Sequence, residues 1–116
     1  MNNELISFLT NQGIILNNYR QSLNKSIEDL QQILTNDSVL SLYAFLGNCN
    51  VSQLFISDNI NKTKKLIECY RKCLALIDED EKDRQEIIKS GFEYHLVNNY
   101  YEKSYKRNSE LAKYVI

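Results

Sequence analysis

Four side chains in this sequence have the chemistry of metal ligands: three cysteines and a single histidine. Cys69 and Cys73 are four residues apart and share one face of a helix, whereas Cys49 and His95 would have to approach them through the fold. Three thiolates and one imidazole would suit tetrahedral zinc. Zinc-binding cysteine pairs usually have two residues between them, however, and cysteine is a common small residue of apolar cores. We therefore predict no metal and no cofactor.

The usual parts of a catalytic site are also missing from the sequence. It contains no glycine-rich phosphate loop, no Gly-x-Ser-x-Gly pattern and no His-Glu-x-x-His pattern. His95 lies beside Phe92 and Leu96 on the last predicted helix, and we interpret it as a half-buried histidine at the edge of the core. We expect a protein that is not an enzyme.

A run of charged residues, most of them acidic, occupies positions 78–84. Exposed carboxylates can dock on a basic partner, as an inhibitor does when it covers the nucleic-acid-binding surface of its target. The alternative is a solvated junction between two helices, which is the more common role of such a run. Under the binding interpretation, the candidate partner-binding residues are Asp78, Glu79, Asp80, Glu81 and Asp83.

The last predicted helix is rich in tyrosine, with basic residues between the tyrosines. Tyrosine and arginine dominate the binding energy of many protein interfaces, and tyrosine also stacks on single-stranded bases. Residues 98–116 hold four basic and two acidic residues, a small positive excess that argues against nucleic acid. Core packing accounts for some of the tyrosines, and a protein partner is the better explanation for the rest. These further candidate contacts are Tyr94, Tyr101, Tyr105 and Arg107.

A leucine at every seventh position marks the first long helix, from about residue 4 to residue 34. Its apolar stripe is wider than the two-position seam of a leucine zipper, and the helix has few of the charges that set the register of a zipper. We interpret the stripe as the spine of a core within one chain, with pairing of two copies as the alternative. The stripe consists of Leu9, Leu16, Leu23 and Leu30, widened by Phe8, Tyr19 and Ile33.

Residues 39–46 are almost wholly apolar and predict a short buried second helix. From Ile60 an amphipathic helical pattern runs to Ile77, and it resumes after the acidic run. The apolar face stays in phase across that run, which permits one continuous helix, but a compact domain of this size favours a break. We place the joint at Asp78, which can act as an N-cap, with an acidic residue three positions later.

The composition supports an all-α fold. The chain has 116 residues, no proline and only three glycines, so most windows contain no helix breaker. We predict a single domain over residues 1–116. Its expected architecture is an antiparallel bundle of about four helices: a long first helix, a short buried second helix and two long C-terminal helices.

No signal peptide or membrane span is recognisable in the sequence, and an odd number of cysteines fits reduced thiols, so we expect a cytoplasmic location. The expected function is protein binding, most concretely as an immunity- or antitoxin-like inhibitor that masks a toxin or effector. The alternative is a structural or chaperone-like helical subunit that pairs with itself as a homodimer or with a helical client. Neither nucleic acid nor a membrane is an expected partner.

Overall fold

The computed structural model describes residues 3–35 and 53–113, with side chains from residue 60 onward in the second range. It contains α1 (Asn3–Thr35), α2 (Gln53–Lys89) and α3 (Tyr94–Leu111). These residues form no strand, which confirms the all-α class. The bundle of about four helices is not confirmed, and the short helix predicted over residues 39–46 lies outside the described residues. Within the described part of the chain, no helix carries an apolar stretch sufficient to cross a bilayer.

The first helix has the extent that the leucine stripe predicts. α1 is 33 residues long, with the acidic Glu4 in its first turn, where it complements the helix dipole. Gly13 does not interrupt it. At the other end, the hydroxyl of Thr35 also donates to the backbone carbonyl of Gln31 at 3.0 Å, a local side-chain bond that is common for threonine in helices.

The predicted joint at Asp78 is wrong, because α2 continues through the acidic run for 37 residues. A helix of this length is about 55 Å long. The molecule measures 67 × 20 × 19 Å, so the argument from a compact domain does not apply. α1 is nearly as long and lies alongside α2. The acidic side chains are tolerated in mid-helix because they pair with basic side chains, as described below.

The real joint is a four-residue turn at positions 90–93. Gly91 and Phe92 both have positive φ, 72° and 66°. The amide of Phe92 donates to the carbonyl of Ile87 at 2.9 Å, and that of Gly91 donates to the carbonyl of Ile88 at 3.2 Å. This is a Schellman motif, and Gly91 takes the left-handed position that favours glycine. Phe92 and Ile87 belong to the same apolar cluster.

Glu93 then begins α3 as its N-cap. Its carboxylate accepts from the backbone amides of His95 at 3.2 Å and Leu96 at 3.1 Å. These bonds satisfy amides that have no partner within the helix, and the negative charge suits the positive end of the helix dipole. The turn therefore reverses the chain direction within four residues, and α3 runs antiparallel to α2.

The three helices enclose two apolar clusters separated by buried polar side chains. α2 is antiparallel to both neighbours, so α1 and α3 run parallel. One cluster consists of Leu5, Leu9, Ile87 and Tyr100, and the other of Leu16, Leu23, Cys73, Ile77 and Leu111. Leu9, Leu16 and Leu23 are buried and Leu30 is half-buried, so the predicted spine is confirmed for its first three leucines. Between the clusters lies what we call the polar layer: Gln12, Asp80, Arg84, Ser104, Arg107 and the hydroxyl of Tyr100.

Candidate functional site

Asp80 is the centre of the polar layer and is only 1% exposed. Its Oδ1 accepts from Arg84 Nε at 2.8 Å and from the Tyr100 hydroxyl at 3.0 Å. Its Oδ2 accepts from Arg107 Nη2 at 3.2 Å. A buried carboxylate requires this degree of compensation, since an unpaired charge in the interior is very costly. The expectation that the acidic run is an exposed cluster is therefore wrong at Asp80.

Arg107, also predicted at the surface, is 5% exposed. Besides Asp80, its guanidinium contacts Asp83 at 2.8 Å and Glu79 at 3.6 Å through Nη1. The guanidinium carbon lies 5.8 Å from the centre of the Tyr100 ring, within the range of a cation–π interaction. Its physical role here is to neutralise acidic side chains of α2 and so to join α3 to α2.

The remaining carboxylates of the run are paired with α1. Arg20 Nη2 contacts Asp78 Oδ1 at 2.9 Å and Glu81 Oε2 at 2.8 Å. The hydrogen bond with Glu81 makes the largest contribution to a raised pKa of Arg20. All five candidate acidic residues thus contact a basic side chain of the same chain, which reduces the charge that they present to a partner.

Gly13 allows the polar layer to reach α1. A Cβ at this position would clash with Nη1 of Arg84. Glycine in a helix costs about 1 kcal/mol relative to alanine. Here the missing side chain leaves room for Arg84, which also binds Asp80. On the other side of α1, Gln12 Nε2 donates to Ser104 Oγ at 3.3 Å and to Asn108 Oδ1 at 3.1 Å. These bonds connect α1 with α3.

Tyr100 has a pKa raised well above its ordinary value. Burial makes the largest contribution, followed by the negative charge of Asp80 and the hydrogen bond to it. A phenolate at this position would lose water and face a carboxylate. Folding therefore favours the neutral form of Tyr100.

This shift predicts that the fold loses stability at alkaline pH. Because the folded pKa lies above the unfolded value of about 10, Tyr100 contributes its full stabilisation below pH 10 and loses it as the pH rises. The free energy of unfolding should fall by up to about 1.4 kcal/mol per pH unit above pH 10 from this group alone. Urea unfolding from pH 8 to 11 measures it, with Tyr100→Phe as the control. Equal pH dependence in the two proteins would contradict the assignment.

The side chains that were considered as metal ligands do not come together in the described residues. Cys73 is buried in the apolar core, and burial raises the pKa of its thiol. Cys69 is half-buried, whereas His95 is exposed with its ring 5.9 Å from that of Tyr94. No group of three histidine, cysteine or acidic side chains in the described part could hold a metal ion. Cys49 lies outside the described residues.

The exposed tyrosines of α3 form one side of a surface that continues on α1. Phe8 and Tyr101 join the two helices, with ring centres 5.2 Å apart. We call this surface the α1–α3 face. Its five large side chains are between 36% and 76% exposed. They are Phe8, Ile15 and Tyr19 of α1, and Tyr101 and Tyr105 of α3. Tyr94 is also exposed and lies seven residues before Tyr101 on the same side of α3.

The α1–α3 face is open along its length. No Cα atom of α1 lies within 8 Å of a Cα atom of α3, so side chains alone bridge the two helices. A cleft of about 240 Å³ lies between them, lined by Gln12, Ile15, Tyr19, Asn108 and Ala112. Phe8, Tyr19 and Ile33 were expected to be covered by other helices, and each remains more than one third exposed. That expectation is wrong, and for Phe8 and Tyr19 the reason is that α3 does not pack closely on α1.

Comparisons with known proteins identify no relative. No family model matches the chain, and neither a curated protein nor a solved structure is significantly similar to it.

Proposed function

We propose that this is a cytoplasmic protein without catalytic activity that works by binding another protein through the α1–α3 face. The observation that carries the proposal is the contrast between the α1–α3 face and the acidic run at positions 78–84. Every candidate carboxylate of the acidic run is paired with an arginine of the same chain and Asp80 is buried, although Asp78 and Glu79 remain exposed and Glu81 is only half-buried. The α1–α3 face instead presents large aromatic and aliphatic side chains to solvent. Interface cores are typically poor in charge and rich in tyrosine and other aromatic residues.

The α1 part of the face has little charge. Between residues 5 and 24 the only charged residue is Arg20, and its guanidinium is bound to Asp78 and Glu81 of α2. A partner could therefore cover residues 5–24 of α1 without desolvating an unpaired ion, which removes the largest cost of burying a helix surface. This supports a helix, or another apolar surface, as the bound element.

The structural or chaperone-like role is the leading form of this proposal. The inhibitor form, in which the partner is a toxin or effector, was based partly on an exposed acidic run. Those carboxylates are engaged within the chain, so the inhibitor form depends on the tyrosines of α3. The inhibitor form also predicts that the partner has an activity of its own and loses it in the complex.

A photo-cross-linking residue in place of Tyr105 tests the binding face inside the native cell. We expect cross-links to one protein, which mass spectrometry identifies, and far fewer from the same residue in place of Ile14. Ile14 is an exposed apolar residue of α1 that lines the α1–α2 side of the bundle.

The identified protein is then purified for binding measurements. Ile15→Glu should weaken its binding at least tenfold, about 1.4 kcal/mol, and Ile14→Glu should not. Equal cross-linking from both positions would contradict the proposal.

A further inference from the structure

We infer that the protein bound at the α1–α3 face is a second copy of this chain, related by a two-fold axis. The inference rests on the proposed function and names the partner of the same face. In a two-fold interface the same patch meets itself, so the patch must be self-complementary, and a charge near the axis would be repelled by the same charge of the other copy. A patch without charge satisfies this condition without needing a complementary partner.

The electrostatics of α1 meet that condition. The surface that α1 contributes is made of Phe8, Ile15 and Tyr19, in a stretch whose only charge, Arg20, is directed to α2. On α3, Tyr101 and Tyr105 extend the patch with neutral hydroxyl groups. Along residues 5–24 a dedicated acidic or basic partner would find no unpaired charge, whereas a second copy finds its own apolar and phenolic groups.

The size of the patch agrees with a dimer. The five side chains are between 36% and 76% exposed. With roughly 200 Å² for each large side chain, they offer on the order of 450 Å² of mainly apolar surface. A standard interface buries about 800 Å² on each partner, a little more than half of it apolar. The α1–α3 face therefore supplies about the apolar area that a stable dimer needs.

The shape of the face also suits a helix. α1 and α3 run parallel and are joined only by side chains, with the cleft lined by Ile15, Tyr19 and Asn108 between them. A helix laid along such a groove can place side chains into the cleft. If α1 of each copy lies along the groove of the other, the two α1–α3 faces are buried against each other. The dimer is then a larger helical bundle.

Sedimentation equilibrium at several concentrations up to a few hundred micromolar tests the inference on the purified full chain. A monomer has a mass of 13.6 kDa, and we expect a concentration-dependent species of twice that mass. Ile15→Glu should raise the dimer dissociation constant at least tenfold. Ile14→Glu, an equally drastic change at the adjacent exposed residue, should leave it unchanged. Circular dichroism checks that both variants keep the helical content of the wild type.

Two results would overturn the second copy as partner. One is a wild-type chain that stays monomeric throughout the concentration range. The other is a dimer that Ile15→Glu and Ile14→Glu affect equally. The cross-linking experiment at position 105 separates this failure from failure of the proposed function. A monomer whose position 105 cross-links to a different, identified protein that binds the purified chain refutes the dimer and leaves the binding role intact. A monomer without any specific cross-link refutes both.

Discussion

Replacing Asp80 with alanine is expected to lower the free energy of unfolding by about 3–5 kcal/mol. The substitution removes the acceptor of the Tyr100 hydroxyl and an anionic partner of two arginines, one of them the buried Arg107. We expect the lower end of the range, because Arg107 keeps its contact with Asp83 at 2.8 Å. Urea unfolding followed by circular dichroism measures the loss.

Two further variants keep this prediction testable if Asp80→Ala does not fold. Asp80→Asn retains the shape and an acceptor for Tyr100, so it should destabilise the chain less than alanine does. Glu81→Ala is the matched control one residue away. Its side chain is 47% exposed in its pair with Arg20, and exposed pairs contribute less than about 1 kcal/mol. If Asp80→Asn were as mild as Glu81→Ala, the central role of Asp80 would be refuted.

The second large effect is expected for Leu16→Ala, with a loss of about 2–5 kcal/mol. Leu16 is 1% exposed and packs in the cluster with Leu23, Cys73 and Ile77, where all three helices meet. The truncation leaves a cavity that rigid neighbouring helices close only in part. The same unfolding measurement applies.

Neighbouring substitutions serve as controls for Leu16. Ile14→Ala truncates an aliphatic side chain of similar size at an exposed position of the same helix. We expect it to change the free energy of unfolding by no more than about 0.5 kcal/mol. Leu16→Met conserves volume and should cost less than about 1.5 kcal/mol. A loss for Leu16→Ala no greater than that for Ile14→Ala would show that the cluster is not a core.

The α1 spine could be predicted because its signal is local and periodic. Leu9, Leu16 and Leu23 repeat at helical intervals without a proline between them, and α1 follows that pattern from end to end. The joint between α2 and α3 was placed wrongly for two reasons. The capping pattern at Asp78 and the assumption of a compact domain both favoured position 78. Gly91, which follows the basic Lys89 and is a regular C-terminal signal, was not considered.

The polar layer was harder to predict. Positions 73, 77, 80, 84 and 87 follow helical spacing, so the pattern alone places Asp80 on the inner face of α2. A buried carboxylate is costly unless it is paired. Its partners Tyr100 and Arg107 are 20 and 27 residues away along the chain. Pairings across helices are not readable from local spacing.

The α1–α3 face depends on the distance between α1 and α3, which local sequence patterns do not reveal. Phe8 and Tyr19 flank the leucine stripe, where a closely packed neighbour would cover them. Whether they become core or surface depends on how near α3 lies to α1. The low charge of residues 5–24 was the signal that could have identified this side of α1 as a contact surface.

The polar layer has a consequence for how the helices find their alignment. The clusters on either side of it are chemically alike, so a helix displaced by one turn, about 5.4 Å, could still bury its leucines. The turn at positions 90–93 fixes α3 against α2, so α1 is the helix that could be displaced. The displacement would move Gln12 away from Ser104 and leave buried polar groups without partners. Apolar packing alone discriminates less sharply between neighbouring positions of α1 along the axis. The polar layer gives one register an advantage over its neighbours.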